Sequence, residues 1–106
     1  MSKCRITVLR RMYNEDFAEQ YTQSTAPKCD SFEDGQVFIV ENMVRPPEDF
    51  CAWAWIDLQR SIQTLLRGGN FSDTGWMKKD NVLIACCSDG IRPVVFKIER
   101  MDEITQ

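Results

Sequence analysis

Histidine is absent from this 106-residue chain. Its absence removes every mechanism that needs an imidazole: Ser-His-Asp and Cys-His nucleophile activation, His-ligated metals and His proton relays. Long apolar runs are missing too. No stretch approaches the ~18 residues of a membrane span, and the N-terminus lacks the apolar centre of a secretory signal, so a cytoplasmic protein with no membrane partner is expected. An excess of positive charge is also lacking. Lys and Arg total 13 against 16 Asp and Glu, a formal net charge of -3, which argues against a broad nucleic-acid surface. No internal repeat or low-complexity tract is present.

What is present is ordinary globular composition, 43% hydrophobic and 27% charged, in a length that fits one domain spanning 1–106. The charge is unevenly placed. Residues 1–13 carry Lys3, Arg5, Arg10 and Arg11 and no acid, whereas residues 14–49 carry nine acids against Lys28 and Arg45. A basic first strand beside an acidic segment, matched within one fold or between subunits, is the expectation.

Cys4, Ile6 and Val8 alternate with Lys3, Arg5 and Thr7, the period of a strand with one wet face. Asn14 is placed to cap a short helix over 15–21, whose Glu15 and Asp16 suit its positive end. A polar, proline-broken stretch over 22–28 and a turn at 32–35 lead into a strand over 36–41. That strand is apolar on both faces and so reads as a central, covered one.

Pro46 and Pro47 preset a helix start, with Glu48 and Asp49 expected in its first turn and Gly68-Gly69 as its stop. The main helix is therefore expected over about 50–67. Its apolar stripe is Cys51, Trp55, Leu58, Ile62, Leu65 and Leu66, and its polar row is Asp57, Arg60, Thr64 and Arg67. Stepping that row back one turn reaches Trp53, an outward tryptophan that needs other cover. After a loop carrying Phe71 and Trp76, strands over 82–87 and 91–101 are joined by Ser88-Asp89-Gly90 as a three-residue hairpin. With Cys87 facing Ile91, Val82, Ile84 and Cys86 would share the core face with Val94 and Phe96. Pro93 would sit opposite Ala85, which puts the last strand at an edge or gives it an irregular start. The sum is an α+β fold: about four mostly antiparallel strands, a long amphipathic helix and a short one.

The strings CDSFEDGQVFIVE (29–41), PEDFCAWAWIDL (47–58), GGNF (68–71) and CCSDGIRPVVFKIER (86–100) run in order along nearly the whole chain. Together they resemble an uncharacterised family of proteins of about this length from anaerobic bacteria and archaea. The resemblance implies an anaerobic source, in which low-potential metal or thiol chemistry is easier to sustain, and it carries over no catalytic role.

Chemistry therefore rests on the residues themselves. Five cysteines invite three readings: small buried apolar residues, a soft-metal or iron-sulfur site, or a reactive thiol. Their positions, 4, 29, 51, 86 and 87, lack the two-residue gaps of strong metal motifs. A metal site would draw on Cys29, Cys51, Cys86 and Cys87, although adjacent cysteines in a strand point to opposite faces. Cys51 is the leading reactive candidate because the start of a helix favours a thiolate, an effect that Glu48 and Asp49 would oppose. Cys87 and Cys29 are its candidate partners, for a two-thiol proton transfer or a redox pair. Trp53 and Trp55 could hold a flat ligand or a partner, and Arg92 a carboxylate or phosphate, unless it simply pairs with Asp89 or Glu99. No pair of carboxylates stands out as acid and base, and Gly68-Gly69-Asn70 ends a helix where a phosphate loop would begin one. No cofactor is indicated. Three functions follow: a small-ligand-binding protein, with or without thiol catalysis, whose pocket lies between the helix start and the final hairpin; a non-catalytic homo-oligomeric module or accessory subunit; and, third, a cysteine-ligated metal or iron-sulfur protein.

Overall fold

The structure, a computed structural model, describes residues 3–23, 28–41 and 44–101. Six elements occur in the order β1 (Lys3–Arg11), α1 (Glu15–Tyr21), β2 (Val37–Val40), α2 (Ala52–Leu66), β3 (Val82–Cys86) and β4 (Val94–Met101). The strands form one antiparallel sheet in the order β2-β1-β4-β3. This is the α+β architecture expected from the pattern. Of the expected polar stretch at 22–28, residues 24–27 lie outside the described residues.

The alternation of β1 works as its period requires. Cys4, Ile6 and Val8 are fully buried, and the register sets them beside Val40, Phe38, Arg100, Ile98 and Phe96 on the same face. α2 lies across that face and buries Ala54, Trp55, Leu58, Ile62 and Leu65. Each fully buried aliphatic side chain contributes about 1.5–3 kcal/mol. One end of this core is aromatic: Phe32 meets Phe38, Phe50 and Phe96 with ring centroids 5.2–5.8 Å apart, and Phe50 meets Trp55 at 6.2 Å.

Gly68 and Gly69 close α2 as expected. The Gly69 N–H donates to the Thr64 carbonyl at 2.8 Å and the Gly68 N–H to the Leu65 carbonyl at 3.0 Å, with Gly68 at φ +88°, the paired bonds of a Schellman stop. Arg100 completes this end. Its Nη1 reaches from β4 to donate to the carbonyls of Leu65 and Gly69 at 3.0 and 2.9 Å.

Five expectations are corrected. β2 is an edge strand and not a central one, leaving Val37 50% and Ile39 41% exposed, because the longer β1 and β4 take the two places that pair on both sides. Pro47 does not start the helix. Residues 47–50 form a turn, with the Phe50 N–H on the Pro47 carbonyl at 3.2 Å and Asp49 at φ +64°. That turn drives Phe50 into the core and leaves no acid in the first turn of α2. The hairpin register is also shifted: Leu83 pairs with Ile98 and Ala85 with Phe96, so Ile84 and Cys86 face outward. The connecting loop runs from Cys87 to Pro93, not over three residues, because Asp89 holds it open by accepting the Ile91 and Arg92 N–H groups. Lastly, the Asn14 side chain does not cap α1; its Nδ2 donates to the Gly90 carbonyl at 2.6 Å.

β4 is central, and its irregular start is met by a bulge at Leu9 of β1, between the pairs Val8–Phe96 and Arg10–Val95. The basic strand finds its acids within the fold: Lys3 with Glu41, Arg5 with Glu99 and Arg11 with Asp34 at 2.8–3.1 Å. Among the described residues no helix is long and apolar enough to cross a membrane.

Candidate functional site

Three chain segments, distant in sequence, converge beside the N-terminal end of α2. The first is the helix start. Cys51 occupies the N-cap, where its carbonyl accepts the Trp55 N–H at 2.9 Å while its side chain makes no capping bond. Trp53, one turn before Asp57 on the outward row, remains 64% exposed. The second segment is the β3–β4 loop. Here the Cys87 N–H donates to the Val94 carbonyl at 3.1 Å, and the Val94 N–H returns a bond to Cys87 Sγ at 3.3 Å. The third is residues 29–32, pinned by Phe32 in the core and by Arg11, whose Nη1 donates to the Cys29 carbonyl at 3.2 Å.

Between these segments lies an open cavity of about 520 Å³, within the range of small-molecule sites. The helix contributes Cys51, Trp53 and Ala54 to its wall. Residues 29–32 contribute Cys29, Ser31 and Phe32. The loop contributes Cys87, Ser88, Asp89, Gly90, Arg92 and Val94. Two short bonds tie helix to loop across the rim: Trp53 Nε1 donates to Ser88 Oγ at 2.8 Å, and the Ser88 N–H donates to Asp57 Oδ2 at 2.7 Å. On its outer side the loop is held by the segment after β1, the Met12 N–H donating to the Pro93 carbonyl and the Asn14 N–H to the Ile91 carbonyl at 2.7 and 2.8 Å. The loop's position is thus fixed by backbone bonds and not by packing alone.

The charges in the cavity are Arg92 and Asp89, with Arg92 Nε 3.5 Å from Asp89 Oδ2. Burial works against the Asp89 carboxylate, but the Arg92 and Ile91 amides and the Arg92 guanidinium outweigh it and hold the carboxyl below its usual range.

The expected site residues are therefore divided. Cys51, Cys87, Trp53 and Arg92 line one cavity, and Cys29 joins them. Trp55 does not. It points the other way on the helix and is buried against Phe50. Cys86 lies on the opposite face of the strand end from Cys87 and is exposed, so the four-cysteine set Cys29, Cys51, Cys86 and Cys87 cannot converge. Among the described residues no three Cys, Asp or Glu side chains are grouped to hold a metal ion. Burial first, then the neighbouring Cys87 and Asp57, push the Cys86 thiol up.

Ser88 and Asp57 were missed as rim residues. A signal for Asp57 was present, since it shares the outward row with Trp53. Phe32 was missed as well, being a lone aromatic among polar residues with no period to mark it. No protein-family model, curated protein or solved structure matches this chain.

Proposed function

We propose that this protein binds a small organic ligand in the cavity between the start of α2 and the β3–β4 loop, with cavity thiols placed to act on it. The observation that carries the reading is the gathering of Cys29, Cys51 and Cys87, from three separate parts of the chain, around one cavity that also holds Arg92 and Trp53. A set of merely apolar cysteines has no reason to share a solvent-open cavity. Gly90 provides the test. A Cβ there meets nothing within 4 Å, and its backbone has no positive φ, so Gly90→Phe adds bulk at the cavity wall without strain. Saturation-transfer NMR of a fragment library against the reduced protein is expected to give binders that Gly90→Phe loses while its melting temperature stays unchanged. A library in which no fragment distinguishes the two proteins overturns the reading.

A second reading, self-association, is favoured by a different observation: Trp53 and Ile56, three residues apart on α2, are 64% and 72% exposed. It predicts that Trp53→Ala lowers the assembly state in analytical ultracentrifugation.

A further inference from the structure

Resting on the ligand-binding reading, we infer that the cavity takes a small carboxylate, held by Arg92 so that the carbon next to the carboxylate lies against Cys51 and Cys87. Arg92 and Cys87 belong to one loop, and the loop's geometry relates them. Val94, two residues after Arg92, donates its N–H to the Cys87 sulfur at 3.3 Å, which leaves the thiol's own hydrogen free to point elsewhere. Asp89 takes the Ile91 and Arg92 amides on Oδ1 and meets the Arg92 guanidinium at Nε, at 3.5 Å. No other hydrogen bond or ion pair engages the Arg92 guanidinium among the described residues, so its Nη edge is open to a second carboxylate.

That edge is planar and matches a carboxylate with two parallel N–H bonds. Asp89 already offsets the one guanidinium, so a monoanion brings the site to one net negative charge and a dianionic phosphate to two, which favours the monoanion. Opposite the loop, Cys51 stands at the helix N-cap with its side chain unused for capping, and the Trp53–Ser88 bond holds that wall at a fixed distance from the loop. A ligand gripped at Arg92 thus lies between two thiols carried on separate elements.

A competition between two alkylating reagents tests this without knowledge of the natural ligand. Iodoacetate is itself a small carboxylate whose adjacent carbon is electrophilic. The sulfur forms a bond to that carbon, the carbon–iodine bond breaks, iodide leaves and the thiol proton passes to solvent. Iodoacetamide reacts identically but is neutral. The full chain, reduced and under anaerobic conditions, is treated briefly with an equal mixture, and the ratio of the two adducts at each cysteine is read by mass spectrometry. The same mixture on the unfolded chain gives the intrinsic ratio.

At Cys51 and Cys87 the carboxylate adduct is expected to be enriched about tenfold over the unfolded ratio, the effect of one charge-assisted pair. Arg92→Gln is expected to abolish the enrichment and Arg92→Lys to keep part of it, while Cys86, outside the cavity, shows none in any of the three proteins. Reaction of Cys51 and Cys87 with both reagents at the unfolded ratio, or an enrichment that survives Arg92→Gln, overturns the carboxylate assignment and leaves the cavity reading standing. Thiols at 51 and 87 that resist both reagents in the folded protein overturn both.

Discussion

Cys4 and Cys87 are both half a side chain from being ordinary apolar residues, yet their surroundings separate them completely. Cys4 is fully buried on the α2 side of β1, and burial pushes its thiol up to about 11 although the Arg100 guanidinium pulls the other way. Alkylation at about pH 8.5 is therefore expected to leave Cys4 untouched in the folded chain while Cys51 and Cys87 are modified; Cys4 modification before global unfolding would mean that β1 opens locally. Arg100 makes the complementary point about buried charge. Its two bonds give the Leu65 carbonyl a charged partner beside the Gly68 N–H and give the Gly69 carbonyl, just past the helix end, a donor. Arg100→Ala is expected to lower unfolding free energy by about 2 kcal/mol in urea titration, with the loss coming from the two charge-assisted bonds and the Gly69 carbonyl left without its donor. Neither role is visible in the sequence, where Arg100 reads as one more alternating strand position.

At the scale of elements, the ends matter more than the middles. The apolar stripe of α2 at Trp55, Leu58, Ile62 and Leu65 is legible because a helix buried on one side repeats every three or four residues. Its start is not. A double proline followed by two acids reads as a helix opening, but the type of turn chosen at 47–50 depends on the core space that accepts Phe50. The stop is legible because Gly68 and Gly69 have local work to do. At Gly69 a Cβ would come within 2.9 Å of the Thr64 carbonyl oxygen and 2.8 Å of its Cγ2, so Gly69→Ala is expected to cost about 1–3 kcal/mol, read as a lower midpoint in thermal melting. An unchanged midpoint would show that the Schellman bonds stretch freely. The β3–β4 connection is not legible for the opposite reason: Ser88-Asp89-Gly90 has hairpin chemistry, and the longer loop is selected by bonds from Met12 and Asn14 that no local pattern contains.

Over the whole molecule, the uneven charge of the sequence becomes ion pairing between β1 and distant acids. The Arg11 bond to Asp34 and the Arg5 bond to Glu99 hold both carboxyls below their usual range, and Asp89 is held low by its loop amides despite burial. A carboxyl with a folded value below its unfolded value contributes stability that is present above about pH 4 and is lost as pH falls through the lower folded value. Melting temperature is accordingly expected to be flat from about pH 7 to pH 5 and to fall below about pH 4, with a shallower fall in Glu99→Gln. A melting temperature that rises on acidification contradicts the pairings. Because Asp89 also shapes the cavity loop, ligand binding is expected to weaken over the same acid range.

What the sequence determined by itself is whatever one element can enforce alone: the alternation of β1, the bounds of α1, the stripe and stop of α2, the outward position of Trp53 and the opposition of Cys86 and Cys87. The α+β class follows from those periods. The tertiary structure alone decided which strand is at the edge, which face of β3 is inside and where Phe32 goes, because each is set by partners far along the chain. The cavity belongs to the second group. Its residues were individually visible as cysteine, tryptophan and arginine, but their convergence is made by an Arg11 bond to residue 29, a Trp53 bond to residue 88 and the Met12 and Asn14 bonds to the β3–β4 loop. Physical proximity between segments 18 or more residues apart is a property of the packed core, and no local periodicity encodes it.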